Sequence, residues 1–182
     1  MHHIISDGWS VGIFIRELLT HYQAFSSGQP VSLPELPIQF ADFAVWQREW
    51  LKGPTLDLQL SYWKEQLRDA PPLLELPTDH PRPPVQSHHG AHQLFSLPTE
   101  LYQALKALSQ KAGVTLFMTL LAAFLVLLHY YTKRRDLIVG TDVAGRTRSE
   151  VEELIGFFVN QLVLRTELSG ATSFTDVLQR VR

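Results

Sequence analysis

The spacing of apolar positions predicts three helices in the first third of the chain. Beginning at Ser10, apolar side chains recur every three or four residues as far as Phe25. This is the pattern of an amphipathic helix, with Ser10 as its expected N-cap and its end near Gly28. Beyond a proline-containing segment, the same spacing predicts amphipathic helices at residues 40–51 and 56–67.

Helical and strand patterns alternate farther along the chain. A helix is predicted from Thr99, and a second one from Thr115 is so apolar that we expect it to be buried. A last helix begins at Ser173, which is placed to form a capping box with Asp176. Runs rich in β-branched and apolar residues predict three strands, at residues 92–97, 136–144 and 157–168.

Composition and charge indicate a globular protein. The 182 residues are 45% hydrophobic, which suffices for one domain core or for parts of two small ones. Sixteen basic and eighteen acidic residues give a formal charge of -2 without a basic run, so we expect no nucleic-acid partner. Because the chain has no cysteine, it can form neither disulfides nor Cys-based zinc sites, and a cytoplasmic location is expected.

The hydropathy pattern argues against a membrane protein. The longest apolar run, LFMTLLAAFLVLL at residues 116–128, is shorter than the roughly 18 residues that a spanning helix needs. Polar His2, His3, Ser6 and Asp7 come first, where a signal peptide would have a basic region followed by an apolar one. We therefore expect neither export nor membrane contact.

The opening sequence, MHHIISDGWS, combines residue types that suit proton transfer. Histidine side chains titrate near neutrality, at about pH 6.5 in model peptides, so His3 is a candidate base. Asp7 precedes the first predicted helix, where the helix dipole favours a carboxylate that can also orient a neighbour. Gly8 permits a tight turn and can bring its N–H close to a ligand.

Two other interpretations of these residues remain open at this point. His2, His3 and Asp7 offer nitrogen and oxygen ligands for a metal, although adjacent histidines of an extended segment point to opposite faces. Only one of the two histidines then easily joins Asp7. Alternatively, both histidines pack or form hydrogen bonds beside a helix cap and have a purely structural role.

Several segments, in this order, resemble motifs of the condensation domains of nonribosomal peptide synthetases. HHIISDG at residues 2–8 resembles the active-site motif HHxxxDG, and FADFAVWQ at residues 40–47 is similar to YxDFAxWQ. SYWK and LPTD follow in the usual order, and IGFFVN at residues 155–160 resembles IGxFVN. The chain departs from the family pattern at Gln161, where threonine is commoner.

The resemblance implies an α/β fold like that of chloramphenicol acetyltransferase, with two similar subdomains around a tunnel. Residues 1–69 are then expected to be the C-terminal part of the N-terminal subdomain, with His3 on a strand. Residues 70–92 would be a proline-rich crossover, and residues 93–182 the first part of the C-terminal subdomain. We accordingly expect a chain that is incomplete at both ends, and inactive, poorly soluble or dependent on a complementing polypeptide by itself.

Two predictions concern burial. Trp46, Trp50 and Trp63 lie at helical spacing and are expected in the core rather than on a ligand platform, because large aromatic rings dominate core burial. The apolar stripe of the first helix, between Val11 and Phe25, is expected to be uncovered.

The activity that the resemblance implies is amide-bond formation. Upstream and downstream peptidyl carrier proteins would present an acyl or peptidyl thioester and an aminoacyl thioester on their phosphopantetheine arms, and an adenylation domain of the same assembly line would be a further partner. The domain itself would bind no cofactor and no metal. Heterocyclisation relatives carry Asp in place of the motif histidines, so His2 and His3 favour plain amide formation.

The predicted site comprises catalytic His2, His3, Asp7 and Gly8, and also Trp9, Arg146 and Asn160 as tunnel lining or structural support. The resemblance places His3 near the attacking amine, as its base or its orienting group. Asp7 is expected to shape the loop through a buried ion pair, with Arg146 as the candidate partner. Gly8 is expected to offer its N–H to the developing oxyanion.

Two alternatives to this function are kept open. The chain could be a non-catalytic truncated remnant or carrier-docking fragment. It could also belong to a related acyltransferase that uses a coenzyme A thioester and a hydroxyl acceptor, because those enzymes share HxxxDG. The doubled histidine and the IGFFVN segment favour the peptide synthetase branch.

Overall fold

The computed structural model describes residues 1–171 and 173–182. The helices in this part of the chain are α1 (Gly8–Ser27), α2 (Phe40–Trp50), α3 (Gly53–Gln66), α4 (Thr99–Ala112), α5 (Leu116–Thr132) and α6 (Phe174–Val181). The strands are β1 (Asp136–Val143) and β2 (Asn160–Glu167), and short 3₁₀ turns occur at His3–Ile5 and Ser149–Val151. The six predicted helices are therefore confirmed.

The N-cap of α1 lies three residues before the predicted one. Asp7 is the N-cap, because its carboxylate accepts a hydrogen bond from Ser10 N at 2.8 Å and satisfies one of the N–H groups that a helix start leaves unpaired. The prediction that Ser10 caps the helix is wrong. The predicted end is confirmed, since Gly28 adopts the left-handed conformation, with φ 63°, that closes many helices.

The strands differ in part from the sequence prediction. β1 is confirmed, but β2 begins at Asn160 rather than at residue 157. The reason is that the N–H groups of Phe158 and Val159 bind the Asp7 carboxylate instead of a neighbouring strand. Residues 92–97 are not a strand, and His3 lies in a 3₁₀ turn rather than on a strand. In both segments the described chain provides no neighbouring strand for backbone pairing.

β1 and β2 form a two-stranded sheet. Leu168 N, just after β2, donates to Arg135 O, just before β1, at 2.7 Å. The end of β2 therefore lies beside the start of β1, which is the antiparallel arrangement.

The chain forms two compact units, each made of two separate segments. Unit 1 comprises Met1–Arg68 and Gly140–Val163, and unit 2 comprises Asp69–Val139 and Leu164–Arg182. The subdomain ranges 1–69, 70–92 and 93–182 refer to the family's whole domain and stay a prediction.

In unit 2 the core lies beside α5, which packs against α4 and α6. Its buried side chains are Ala122, Leu125, Leu128, Leu137, Leu168, Val177 and Leu178. The prediction that α5 is buried holds for this face only, because Phe117, Phe124 and Leu127 are exposed on the rest of the helix. No single helix of the described residues is long and apolar enough to cross a membrane, although α4 and α5, which meet at 102°, pass that test as a pair.

In unit 1 a smaller core joins α2 to the segment between β1 and β2. Val151, Leu154 and Phe158 are buried there, with Phe40 and Phe43 packed against them. The apolar stripe of α1 is exposed as predicted, from 39% at Val11 to 77% at Phe25. The candidate site is built on the smaller core.

Candidate functional site

The two histidines of the motif use their ring nitrogens in opposite ways. Nδ1 of His3 lies 2.8 Å from Ser6 O, and because a carbonyl only accepts, Nδ1 must donate. Neutral His3 therefore keeps Nε2 as a free acceptor. Nδ1 of His2, in contrast, accepts from Ile4 N at 3.1 Å and caps the 3₁₀ turn, so neutral His2 carries its proton on Nε2.

Asp7 is buried and receives hydrogen bonds from two parts of the chain. Oδ1 accepts from Ser10 N at 2.8 Å, and Oδ2 accepts from Phe158 N at 2.9 Å and Val159 N at 3.3 Å. One carboxylate thus starts α1 and also fixes the segment that leads into β2.

These contacts determine the protonation state of Asp7. Burial by itself raises the pKa of this carboxyl, but the hydrogen bonds from Ser10 and Phe158 and the charge of Arg146 outweigh that effect and lower the pKa to about 2. Asp7 is therefore ionised throughout the neutral range.

Arg146 provides the opposite charge, as the sequence analysis hypothesised. Its Nη2 lies 3.4 Å from Asp7 Oδ1, and the exposed fractions of the two side chains are 1% and 4%. Nη1 donates to the carbonyl oxygens of Val151 and, at 2.8 Å, Leu154. The guanidinium also lies over the Phe158 ring, 4.0 Å from its centre, so Arg146 binds the whole turn that precedes β2.

Ser10 is a part of this network that the sequence analysis assigned only as a cap. Its hydroxyl is fully buried, donates to Gly156 O at 2.7 Å and accepts from Gly156 N at 3.0 Å. It also accepts from Arg146 Nη2 at 2.9 Å. Ser10 therefore holds the backbone on one side of Phe157 while Asp7 holds it on the other.

Two glycines allow this close packing. Gly145 has φ +68°, and a Cβ there would lie 2.0 Å from Phe158 O. A Cβ at Gly156 would lie 2.2 Å from the Phe40 ring. Gly156 belongs to the IGFFVN segment, so that motif was the signal that could have identified it, whereas Gly145 lies in none of the motifs.

An open cavity of about 540 Å³ lies beside His3 and will be called the His3 cavity. It is lined by His3, Gly8, Asp142, Phe157, Val159, Asn160 and Gln161. The rings of His3 and Phe157 are in edge contact, with centroids 4.8 Å apart. Gly8 is the first residue of α1, where a backbone N–H has no acceptor in its own helix.

The other predicted site residues lie around this cavity or behind it. Asn160 lines the cavity and accepts a hydrogen bond from Gln161 N at 2.9 Å through its side-chain oxygen. Trp9 donates from Nε1 to Glu152 O at 2.9 Å, which ties α1 to the same turn that Arg146 binds.

A second open cavity, of about 630 Å³, lies along α2 and will be called the aromatic groove. Phe43, Trp46 and Trp50 line it, and the two indole rings stack 5.7 Å apart. Trp46 is 39% and Trp50 49% exposed, so the prediction that these two tryptophans lie in the core is wrong. The reason is that α2 buries its Phe40 and Phe43 side against Phe158, while the two indoles extend beyond that contact.

The metal interpretation receives no support from the geometry of the described residues, in which no group of three or more His, Cys, Asp or Glu side chains could hold a metal ion. Both Asp7 oxygens already accept hydrogen bonds from buried donors.

Comparison with known proteins identifies the class to which this fold and site belong. The chain is a member of the condensation domain family, whose model matches residues 1–182. This confirms the family that the ordered motifs indicated.

Its matches include parts of synthase and synthetase proteins. The chain is 57% identical over 182 residues to one of the linear gramicidin synthase subunits of Brevibacillus parabrevis. The aligned region covers 100% of this chain and 4% of that protein. Among solved structures, it matches SgcC5 of Streptomyces globisporus at 36% identity with a TM-score of 0.83, over 100% of this chain and 40% of the other. It also matches the first condensation domain of the calcium-dependent antibiotic synthetase at 25% identity with a TM-score of 0.75, over 100% of this chain and 41% of the other.

These matches confirm the α/β class and the chloramphenicol acetyltransferase-like fold predicted from the sequence. The chain spans about two fifths of the solved chains and a few per cent of the gramicidin synthase protein.

Proposed function

We propose that this chain carries the catalytic histidine of an amide-forming condensation site. The observation that supports the proposal most strongly is the fixed tautomer of His3. Its Nδ1 is held by Ser6 O, its Nε2 is free to accept, and the side chain lines an open cavity together with Gly8. A neutral imidazole acceptor in such a cavity suits the binding of an amine.

The proposed reaction joins two carrier-bound substrates. The amine nitrogen of the downstream aminoacyl thioester attacks the carbonyl carbon of the upstream acyl or peptidyl thioester. A C–N bond forms, the C–S bond breaks, and the upstream phosphopantetheine thiol leaves. The amine proton passes through His3 Nε2 to the departing sulfur, or His3 only orients the amine by accepting its hydrogen bond and the proton reaches the sulfur directly. The Gly8 N–H donates to the developing oxyanion.

The remaining predicted residues have supporting roles in this proposal. Asp7 and Arg146 hold the turn that carries Phe157, and Trp9 ties α1 to it. His2 caps the 3₁₀ turn and thereby fixes the backbone that presents His3. Asn160 is a candidate for substrate contact because it lines the His3 cavity.

The partners follow from the same proposal. Upstream and downstream peptidyl carrier proteins deliver the substrates on phosphopantetheine arms, an adenylation domain loads the downstream arm, and the domain holds no cofactor of its own. The kinship with synthetase proteins supports these partners and a cytoplasmic assembly line.

The 182-residue chain by itself is proposed to be inactive. It exposes the α1 stripe and spans about two fifths of the solved chains that it matches. The test compares the chain with a chimaera in which it replaces the aligned segment of the linear gramicidin synthase protein. Each is mixed with two loaded carrier proteins, and mass spectrometry of the downstream carrier reports the product.

Product from the chimaera and none from the chain supports both parts of the proposal. A chimaera that unfolds cooperatively and yet forms no amide contradicts the proposed activity. Ester formation from a coenzyme A thioester and an alcohol, without amide formation, would show instead the related O-acyltransferase activity. A chimaera inactive in both assays would favour the remnant or docking interpretation.

A further inference from the structure

The His3 cavity and the aromatic groove meet at one short segment of the chain. Phe157, Val159 and Asn160 line both cavities. The two cavities together are larger than one small amino-acid side chain. Their linings differ, since stacked indole rings line the groove whereas polar side chains surround His3.

Phe157 is the shared residue best placed to separate the two spaces. Its ring is in edge contact with His3 and is 44% exposed, so it lies in open space rather than in the core. Val159 is smaller and its N–H is bound by Asp7, and the Asn160 side-chain oxygen accepts from Gln161 N.

The backbone around Phe157 is held on both sides. Gly156 exchanges two hydrogen bonds with the Ser10 hydroxyl, and Phe158 N donates to Asp7 while its ring is buried under Arg146. A side chain on such a fixed backbone keeps its position next to His3.

We propose that Phe157 determines substrate specificity by closing the His3 cavity toward the aromatic groove, an inference that rests on the proposed function. With Phe157 in place, the substrate that reacts at His3 is restricted to a side chain that fits the His3 cavity. A small residue at position 157 opens a passage, and the rings of Phe43, Trp46 and Trp50 then receive a large apolar or aromatic side chain.

The test compares wild type, Phe157→Leu and Phe157→Ala in the chimaera described above. Binding of two amine probes, alaninamide and phenylalaninamide, is measured by NMR of the His3 ring and by tryptophan fluorescence. Phe14→Ala is the matched control, because Phe14 is equally exposed, at 43%, and lines neither cavity. The rate of amide formation with carrier-bound alanyl and phenylalanyl acceptors is measured in parallel.

We expect Phe157→Ala to raise the preference for the phenylalanyl over the alanyl probe by about tenfold, with Phe157→Leu between it and wild type. Phe14→Ala should leave the preference unchanged. An unchanged preference in a folded Phe157→Ala protein overturns the inference. Because binding is read without turnover, a chimaera that binds the probes with this shift but forms no amide contradicts the proposed function. That outcome still supports the inference about Phe157.

Discussion

At the scale of single residues, the Asp7 and Arg146 side chains form a buried pair whose members depend on each other. Asp7→Asn leaves the Arg146 guanidinium without a negative partner, and Arg146→Ala leaves the Asp7 carboxylate without a positive partner. Each change should cost about 3–5 kcal/mol of unfolding free energy, because an uncompensated charge stays buried. The double variant should cost much less than the sum of the two, as measured by urea unfolding of all four proteins.

The exposed pair of Arg16 and Glu153 is the control for this cycle, since it is also an Arg–carboxylate pair of unit 1 but both of its members are about half exposed. Its coupling should be about 1 kcal/mol or less. Additive effects of Asp7→Asn and Arg146→Ala would show that the two charges do not stabilise each other.

The lowered pKa of Asp7 predicts how stability depends on acid. A folded-state pKa of about 2, against 3.8 for an ordinary aspartate, contributes stability that is fully present above pH 3.8 and is lost as the pH falls toward 2. The loss should amount to about 2 kcal/mol. Unfolding free energies between pH 5 and pH 2 should therefore fall less steeply for Asp7→Asn than for wild type. Parallel curves would contradict the assignment. Asp136, another carboxyl with a lowered pKa, affects both proteins equally.

The sequence predicted much of the site but not its internal connections. His3, Asp7, Gly8 and Arg146 could be named from motifs, and the structure brings them into one region of unit 1. Ser10 was given a local role because its spacing indicated only a helix start. Its actual partner, Gly156, lies 146 positions away, and no periodic pattern reports a contact over such a separation.

At the scale of elements, the packing of α2 against the IGFFVN segment depends on Gly156. A Cβ at this position would overlap the Phe40 ring, which is itself packed against Phe158. Gly156→Ala should therefore cost about 1–3 kcal/mol of unfolding free energy, and Phe40→Leu in the same protein should recover part of the loss.

The matched control is Gly12→Ala in α1, where a Cβ meets no atom within 4 Å. Alanine is the better helix former, so this change should be neutral or stabilising by up to about 1 kcal/mol. Equal unfolding midpoints for Gly156→Ala and wild type in urea would show that Phe40 does not require the glycine.

The helices were the most predictable elements because their apolar spacing and end signals are local. The capping box of Ser173 and Asp176 is present as predicted. The errors have a different origin, since strands depend on a partner elsewhere in the chain. Residues 92–97 and the His3 segment were predicted as strands, but the described residues provide no strand that pairs with them. The N–H groups of Phe158 and Val159 bind Asp7 instead of a strand.

At the scale of the whole molecule, each compact unit combines segments that are distant in sequence. Unit 1 unites the histidine motif with Gly140–Val163, and these two segments contain every residue of the proposed site. Local patterns could not indicate this division, because they describe one segment at a time. The family motifs indicated it indirectly, by naming residues from both segments.

The central claim is that His3, rather than its neighbour His2, serves the reacting amine. Both are exposed histidines of one motif, but His3 keeps Nε2 as a free acceptor whereas His2 uses Nδ1 to cap the turn. The most direct measurement is the single-turnover rate of amide formation in the chimaera with His3→Ala and, as the matched control, His2→Ala. We expect His3→Ala to lower the rate by about 10²–10⁴-fold and His2→Ala to lower it by less than about tenfold. Equal losses, or a His3→Ala protein that is folded and as fast as wild type, would contradict the account.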